Sequence, residues 1–225
     1  MEITSRTSKE TARDYAFRTL RHNIVVLKLT PGSLVSEKEL ADEMGISRTP
    51  TREALIELSK SQIVDIFPQK GSYISKIDYR LVDEARFMRL VLENAVIELV
   101  CNIATKEDIA SLEENIQLQN FYLDTKVYPK FFDLDNGFHQ KLFSIANKNQ
   151  TYHLMESMMI HFDRVRMIRL HTNTEVRELL DDHRAILEAI RLKDKNRAVS
   201  LMTMHLSRYK VDEEIVRQIG PDYFV

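Results

Sequence analysis

Four ionisable side chains in the second half of the sequence fall where amphipathic helices should turn them inward. Asp135 and His139 are four residues apart, so one helical face carries a carboxylate and an imidazole in a stripe with Phe131, Phe138 and Leu142. His183 sits between Leu180 and Leu187, and His205 follows Ala198 and Leu201 on a stripe of its own. Burying one polar group without a partner costs roughly 1 to 3 kcal/mol, so four in one small bundle must satisfy one another. A divalent metal is the economical common partner, because neutral imidazole nitrogens and an ionised carboxylate all donate lone pairs to it. Three nitrogens and one oxygen suit zinc, nickel, iron, manganese or cobalt. Two other readings stay open: a metalloenzyme whose metal activates water through open positions, and a metal-free helical module in which the four form only a hydrogen-bond network. No further Asp or Glu beside the four looks like a general base, which speaks against the enzyme. His22, His153, His161 and His171 are read as ordinary hydrogen-bonded core or surface residues.

A second constellation lies near the N-terminus. Arg48 and Arg52 fall at and within the first turn of a helix, where guanidinium groups can read guanine edges or grip phosphate. Ser47, Thr49 and the free N–H groups of that turn can hold a phosphate oxygen, while Lys38 and Lys70 supply flanking charge. Three helices and a hairpin must position them. The first covers about Glu10 to Lys28, with Tyr15, Leu20, Ile24 and Leu27 along one side, and Pro31-Gly32 stops it. The second starts at Ser36, which forms a capping box with Glu39, and ends near Gly45. A third, with Thr49 as N-cap and Pro50 at the first helical position, runs through Leu55 and Leu58. Two β-prone runs, Ile63 to Phe67 and Ser72 to Lys76, flank Pro68-Gln69-Lys70-Gly71 as a short hairpin. Together they form a winged helix-turn-helix, whose third helix enters a major groove while the hairpin lies against the backbone.

The remainder reads as helix. Beyond residue 78 the periodicity predicts six helices, over about 79–104, 106–124, 129–147, 150–171, 175–193 and 195–219. Asp78, Thr105, Thr174 and Asp194 serve as N-caps, and Pro129 stands at a first helical position. The expected fold class is therefore mainly α, with a DNA-binding domain over 1–77 and an all-helical bundle over 78–225. Only five glycines and five prolines among 225 residues exclude turn-rich β architectures. The net charge of −2 is unevenly spread: residues 1–77 hold 12 Lys and Arg against 10 Asp and Glu, or +2, and the rest hold 20 against 24, or −4. Local DNA binding is thus permitted without being demanded. A single cysteine, Cys101, makes neither an internal disulfide nor a zinc knuckle and points to a reduced intracellular protein. No apolar run approaches the roughly 20 residues that span a bilayer, and MEITSRTSKE lacks the apolar core of a signal peptide, so a cytoplasmic location with no membrane partner is expected.

The stretch LVSEKELADEMGISRTPTREALIELSKSQIVDIFPQKGSYIS resembles the DNA-binding domain of the GntR family of bacterial transcription regulators, SRTPTREAL being nearly its signature. The resemblance implies DNA contacts from Lys38, Ser47, Arg48, Thr49, Arg52 and the wing-tip Gly71. Thr51 departs from it, since an apolar residue is usual there. DLDNGFH, DDHRAILEAI, KNRAVSLMTMHL and Arg89-Leu90-Val91-Leu92-Glu93 resemble the FCD ligand-binding domain of the FadR subfamily. This implies no enzyme but a homodimer, and two-fold symmetry then calls for a palindromic operator in double-stranded DNA. Its bundle would hold a metal and a small carboxylate effector that touches the metal and Arg89. Spacing alone makes Arg89 and Glu93 a surface pair. Arg86, Arg164, Arg166 and Arg169 are further candidates for the pocket wall, whereas Met155, Met158 and Met159 read as core or dimer filler.

Overall fold

A computed structural model describes residues 1–172, 176–208, 217–218 and 220–225, with the backbone alone at 171–172. The expected cap at Thr174, the His171 side chain and the expected helix over 209–216 and 219 lie outside the described residues.

Helix α1 (Ala12–Val25) begins at Thr11, whose hydroxyl accepts the Asp14 N–H at 3.1 Å. It stops before Pro31-Gly32. Leu27 turns left-handed (φ 62°), and the N–H groups of Lys28 and Leu29 fold back onto the Asn23 carbonyl at 2.9 and 3.0 Å. That bonding satisfies the helix end without help from the proline. Strand β1 (Leu34–Val35) leads into α2 (Glu37–Met44), where the Ser36 hydroxyl accepts the Glu39 N–H at 3.4 Å, the hydroxyl half of the expected box. Gly45 closes α2 in the left-handed region at φ 67°.

Helix α3 (Arg48–Lys60) takes Ser47, not Thr49, as its N-cap residue, so Pro50 is third in the helix rather than first. Proline is tolerated there because the first four N–H groups of a helix have no intrahelical acceptor. Buried Thr51 satisfies its hydroxyl on the Ser47 carbonyl at 3.1 Å, which resolves its departure from an apolar residue. Strands β2 (Val64–Phe67) and β3 (Gly71–Ile74) pair antiparallel as the wing, and β1 adds to the other side of β3, a two-residue strand too short to show alternation in sequence. Leu20, Ile24, Ala54, Leu55, Leu58 and Ile63 form the core of this unit.

After the wing come α4 (Tyr79–Ile103), α5 (Lys106–Asp124), α6 (Tyr128–Ile145), α7 (Asn149–Met158), α8 (Ile160–Thr172), α9 (Val176–Arg191) and α10 (Lys195–Ser207). Asp78, Thr105 and Asp194 cap α4, α5 and α10, and Thr105 closes a full capping box with Asp108. Seven described helices replace the six expected, because the run 150–171 breaks at Met159, whose N–H turns to the Glu156 carbonyl. The break redirects the chain into α8, which is buried around almost its whole circumference by the other elements. A helix enclosed on every side shows no single apolar stripe, and its polar residues must each be satisfied by another element.

Helix α8 also fastens the two halves together. Arg164 donates to the Ser75 carbonyl at 2.7 Å. The His161 ring accepts the Asp78 N–H on Nδ1 (3.1 Å) and donates from Nε2 to the Gln62 carbonyl (3.2 Å). Burial, then the neighbouring Arg164 charge, pushes the His161 pKa down to about 4. Beside them Ile77 forms a parallel bridge with Phe224, and both are buried.

Candidate metal centre and DNA-reading surface

The four residues singled out by spacing meet in one place. Asp135 and His139 of α6, His183 of α9 and His205 of α10 are all buried, and each offers a ligand atom within 4.8 Å of the others. His183 Nε2 and His205 Nε2 are 3.2 Å apart, His205 Nε2 and His139 Nε2 3.3 Å, and Asp135 Oδ1 lies 3.7 Å from His183 Nε2. On α10 the inward stripe is completed by Met202 rather than by the half-exposed Leu201.

What fixes the chemistry is the far side of each ring. His183 Nδ1 faces Gln119 Oε1 at 2.9 Å, and Gln119 uses its amide nitrogen on Asn115 Oδ1 at 2.7 Å. His205 Nδ1 faces Asp182 Oδ2 at 3.4 Å, and His139 Nδ1 faces a Glu93 oxygen. All three partners are acceptors, so each Nδ1 carries a proton and the Nε2 atoms are the ones turned toward one another. Three imidazole Nε2 atoms therefore converge, those of His139 and His183 as lone pairs. The two separations from His205 match the edge of a tetrahedron about 2.0 to 2.1 Å in radius, the metal–nitrogen distance of zinc sites, whose edges are about 3.3 to 3.4 Å.

Burial, reinforced by Arg89 for His139 and by His205 for His183, pushes both imidazoles well below their ordinary pKa and keeps them neutral. For Asp135, burial alone raises the pKa, but the charge of Arg166, with that of Arg89, outweighs it and holds the carboxylate ionised. Arg166 of α8 binds Asp135 directly, reaches Asp163 at 2.9 Å and lies over the Phe132 ring at 4.5 Å. Arg89 and Glu93, a surface pair by spacing, are in fact buried at 3 and 1 % exposure and 2.6 Å apart. Glu93 joins Arg89 to His139. Of the other arginines, Arg164 serves the domain junction, Arg86 pairs with Asp83 at 2.8 Å, and Arg169 donates to the Arg208 carbonyl at 2.6 Å.

A small cavity of about 20 Å³ reaches one of the four, His139, and is lined also by Arg89, Glu93 and, from α1, Arg21. It shares Arg21, Asn136, Tyr152, Glu156 and Asp163 with a larger cavity of about 510 Å³ between α1 and helices α6 and α7. Met155 and Met159, read as filler, are buried and line the small cavity too, whereas Met158 is exposed. Spacing did not point to Arg21, which belongs to the other half of the chain. Gln119 and Asn115 did leave a signal, since they interrupt the buried α5 stripe of Leu112, Ile116 and Leu123.

Lys38, Ser47, Arg48, Thr49 and Arg52 are all exposed on α2 and the start of α3, and Lys70 and Gly71 are exposed at the wing tip. Arg52 touches Glu37 only at 4.0 Å, leaving its guanidinium free to turn outward. Gly71 has φ 102°, and a Cβ there would meet Leu34 Cδ1 at 2.9 Å, so this position requires glycine. His22 and His153 lie near Glu2 and Glu156, and His161 at the domain junction, none of them near the metal candidates.

Residues 13–74 match the bacterial regulatory proteins of the gntR family, and residues 84–208 match the FCD domain. The chain is 33% identical over 208 residues to the HTH-type transcriptional repressor RspR of Escherichia coli K12, covering 92% of this chain and 91% of the relative. It is 32% identical over 221 residues to an HTH-type transcriptional regulator from an unstable DNA locus of Streptomyces ambofaciens, covering 98% and 92%. The solved structure of Escherichia coli McbR shares the fold, with a TM-score of 0.80 over 92% of this chain and 98% of that one at 21% identity. No described helix is long and apolar enough to cross a membrane. With a winged reading head before a helical domain that matches the FCD type, the chain belongs to the GntR family of DNA-binding transcription regulators, in its FCD-bearing FadR branch, and is not an enzyme.

Proposed function

We propose that this regulator is a cytoplasmic homodimer that binds a palindromic operator and responds to a small carboxylate held at a metal in the helical domain, with the domain boundary at residues 77 and 78. The convergence of three imidazole Nε2 atoms carries the metal reading: those of His183 and His139 lie 3.2 and 3.3 Å from that of His205, and lone pairs so close would repel unless a cation lay between them. Asp135, His139, His183 and His205 would hold one divalent ion, whose chemistry here is that of a Lewis acid anchoring an anion. Charge supports the carboxylate. Around the centre are four buried carboxylates (Glu93, Asp135, Asp163, Asp182), two buried guanidiniums (Arg89, Arg166) and the part-buried Arg208 on Asp182, net −1. A divalent ion makes the site +1, and one bound carboxylate makes it neutral, the state a low-dielectric interior favours. Arg89, lining the small cavity beside His139, would face the effector.

On the DNA side, Arg48 and Arg52 would read bases or grip phosphate. Ser47, Thr49 and Gly71 would place backbone and hydroxyl groups on phosphates, with Lys38 and Lys70 adding charge. One reading head makes few contacts, and two-fold symmetry doubles them on a palindrome. A second copy would cover the stripe Phe87, Val91, Leu99 and Ile103, exposed by 41 to 71% along the outer face of α4. The test is the metal content of the purified protein together with selection of genomic DNA fragments with and without carboxylates. About one ion per chain and a carboxylate-dependent shift in recovered fragments are expected. Metal-free protein that melts unchanged when zinc or nickel is added overturns the metal.

A further inference from the structure

We propose that the reading head itself supplies part of the effector site: Arg21 of α1 binds the far carboxylate of a dicarboxylate whose near carboxylate sits at the metal. This rests on the carboxylate reading above and adds the ligand's second charge. The small cavity at Arg89, Glu93 and His139 has room for about one water, not for an organic acid. It widens toward the cavity of about 510 Å³ whose lining it shares, a volume within the range of small-molecule pockets. One wall of that larger space is α1. A ligand reaching His139 from it therefore passes Arg21.

Arg21 is held loosely where its neighbours are held tightly. Its guanidinium meets the Glu156 carbonyl at 3.5 Å and the Glu156 carboxylate at 3.6 Å, each near the outer limit for its kind of contact. Arg18, on the same wall, holds Glu10 at 2.7 and 3.0 Å, and Arg89 holds Glu93 at 2.6 Å. Glu156 is thus a replaceable partner, exposed by 41% and able to swing into solvent while a ligand carboxylate takes its place in a two-pronged pair. Because Arg21 belongs to the helix that packs on α3, such a ligand bonds to both halves of the protein at once.

The test uses full-length, zinc-loaded protein and calorimetric titration with succinate, glutarate and adipate against butyrate, valerate and hexanoate, with metal content measured on each sample. At least one diacid is expected to bind wild type about 10-fold or more tightly than its monoacid counterpart, the gain of one charge-assisted pair. Arg21→Gln should cut that ratio below about 3-fold, Arg21→Lys should restore part of it, and Glu156→Gln should raise it by removing the competing carboxylate. A ratio that survives Arg21→Gln in metal-loaded protein overturns the proposal. So does a wild type that binds diacids and monoacids alike, although the carboxylate reading then stands. Metal-loaded wild type that binds neither series overturns the carboxylate reading itself, and this inference with it.

Discussion

Replacing Gln119 by leucine removes one acceptor from the candidate metal centre without touching any of its four residues. In the folded protein Gln119 Oε1 takes the Nδ1 proton of His183 at 2.9 Å, which forces the Nε2 lone pair toward Asp135, His139 and His205. Leucine has a similar volume but accepts nothing. The His183 N–H is then buried without a partner, at a cost of about 1 to 3 kcal/mol to the fold. It also loses the constraint on its tautomer, so the metal must compete with a proton on Nε2, and loss of such a supporting partner lowers metal affinity about 10- to 100-fold. At saturating metal that corresponds to about 1.4 to 2.7 kcal/mol less stabilisation of the folded state. Gln119→Glu keeps an acceptor at the same place and should hold zinc at least as tightly as wild type. Competition against a chromogenic chelator gives the affinities, and melting with and without zinc gives the stabilisation. If the leucine variant competes within about 3-fold of wild type, the Nδ1 partners do not set the tautomers and the argument from converging lone pairs fails.

Arg52→Ala should cost roughly 1 to 3 kcal/mol of operator binding and relax base preference, whereas Lys70→Ala should weaken all sequences alike and flatten the salt dependence, both read by gel shift across operator variants. Gly71→Ala forces a side chain into left-handed backbone with its Cβ 2.9 Å from Leu34 Cδ1, so a loss of about 1 kcal/mol or more should appear in thermal melting. Arg89→Ala leaves Glu93 buried and uncompensated, and about 3 to 5 kcal/mol should be lost in denaturant titration. His161, folded pKa about 4 against an ordinary 6.5, is neutral in the fold. Its stabilisation is complete above pH 6.5 and lost as pH falls toward 4, by up to about 3 kcal/mol. His161→Gln should remove that slope from a pH series of unfolding curves, with Arg164 and Asp78 the charged groups facing it.

The clustered Asp135 and His139 were legible because a carboxylate and an imidazole four residues apart, flanked by phenylalanines, leave a one-dimensional trace. Their supports left less. Gln119 and Asn115 lie on the buried stripe of α5, where an amide at an inward position asks for a partner, but nothing in spacing names which imidazole it serves. Glu93 and Arg89 have the i, i+4 spacing of an exposed pair, and only the surrounding helices make them a buried one. The break at Met159 carries neither proline nor glycine and comes from packing. Burial of α8 on all sides erases the single stripe that periodicity detects. At α3 the proline misled: Ser47 and Thr49 are both able to cap, and the helical preference of Pro50 for a first position pointed to the wrong one.

A signal from the metal centre to the reading head needs an element that touches both and has more than one arrangement. The first bundle helix, α4, follows the wing directly and carries Glu93 against His139. Helix α8 is the stronger route. At one position Arg166 binds Asp135, and two and five residues earlier Arg164 and His161 hold Ser75, Asp78 and Gln62 across the junction. Two residues of helix rise only about 3 Å, so the ligand shell and the junction are fixed to nearly the same stretch of backbone. An anion held at this centre would compete with Asp135 for the Arg166 guanidinium, and a shift of that guanidinium would move the backbone bearing Arg164. Differential binding of about 1 to 3 kcal/mol between two seatings of α8 is enough to change operator affinity roughly 5- to 150-fold. By reciprocity, operator DNA must then change effector affinity by the same factor.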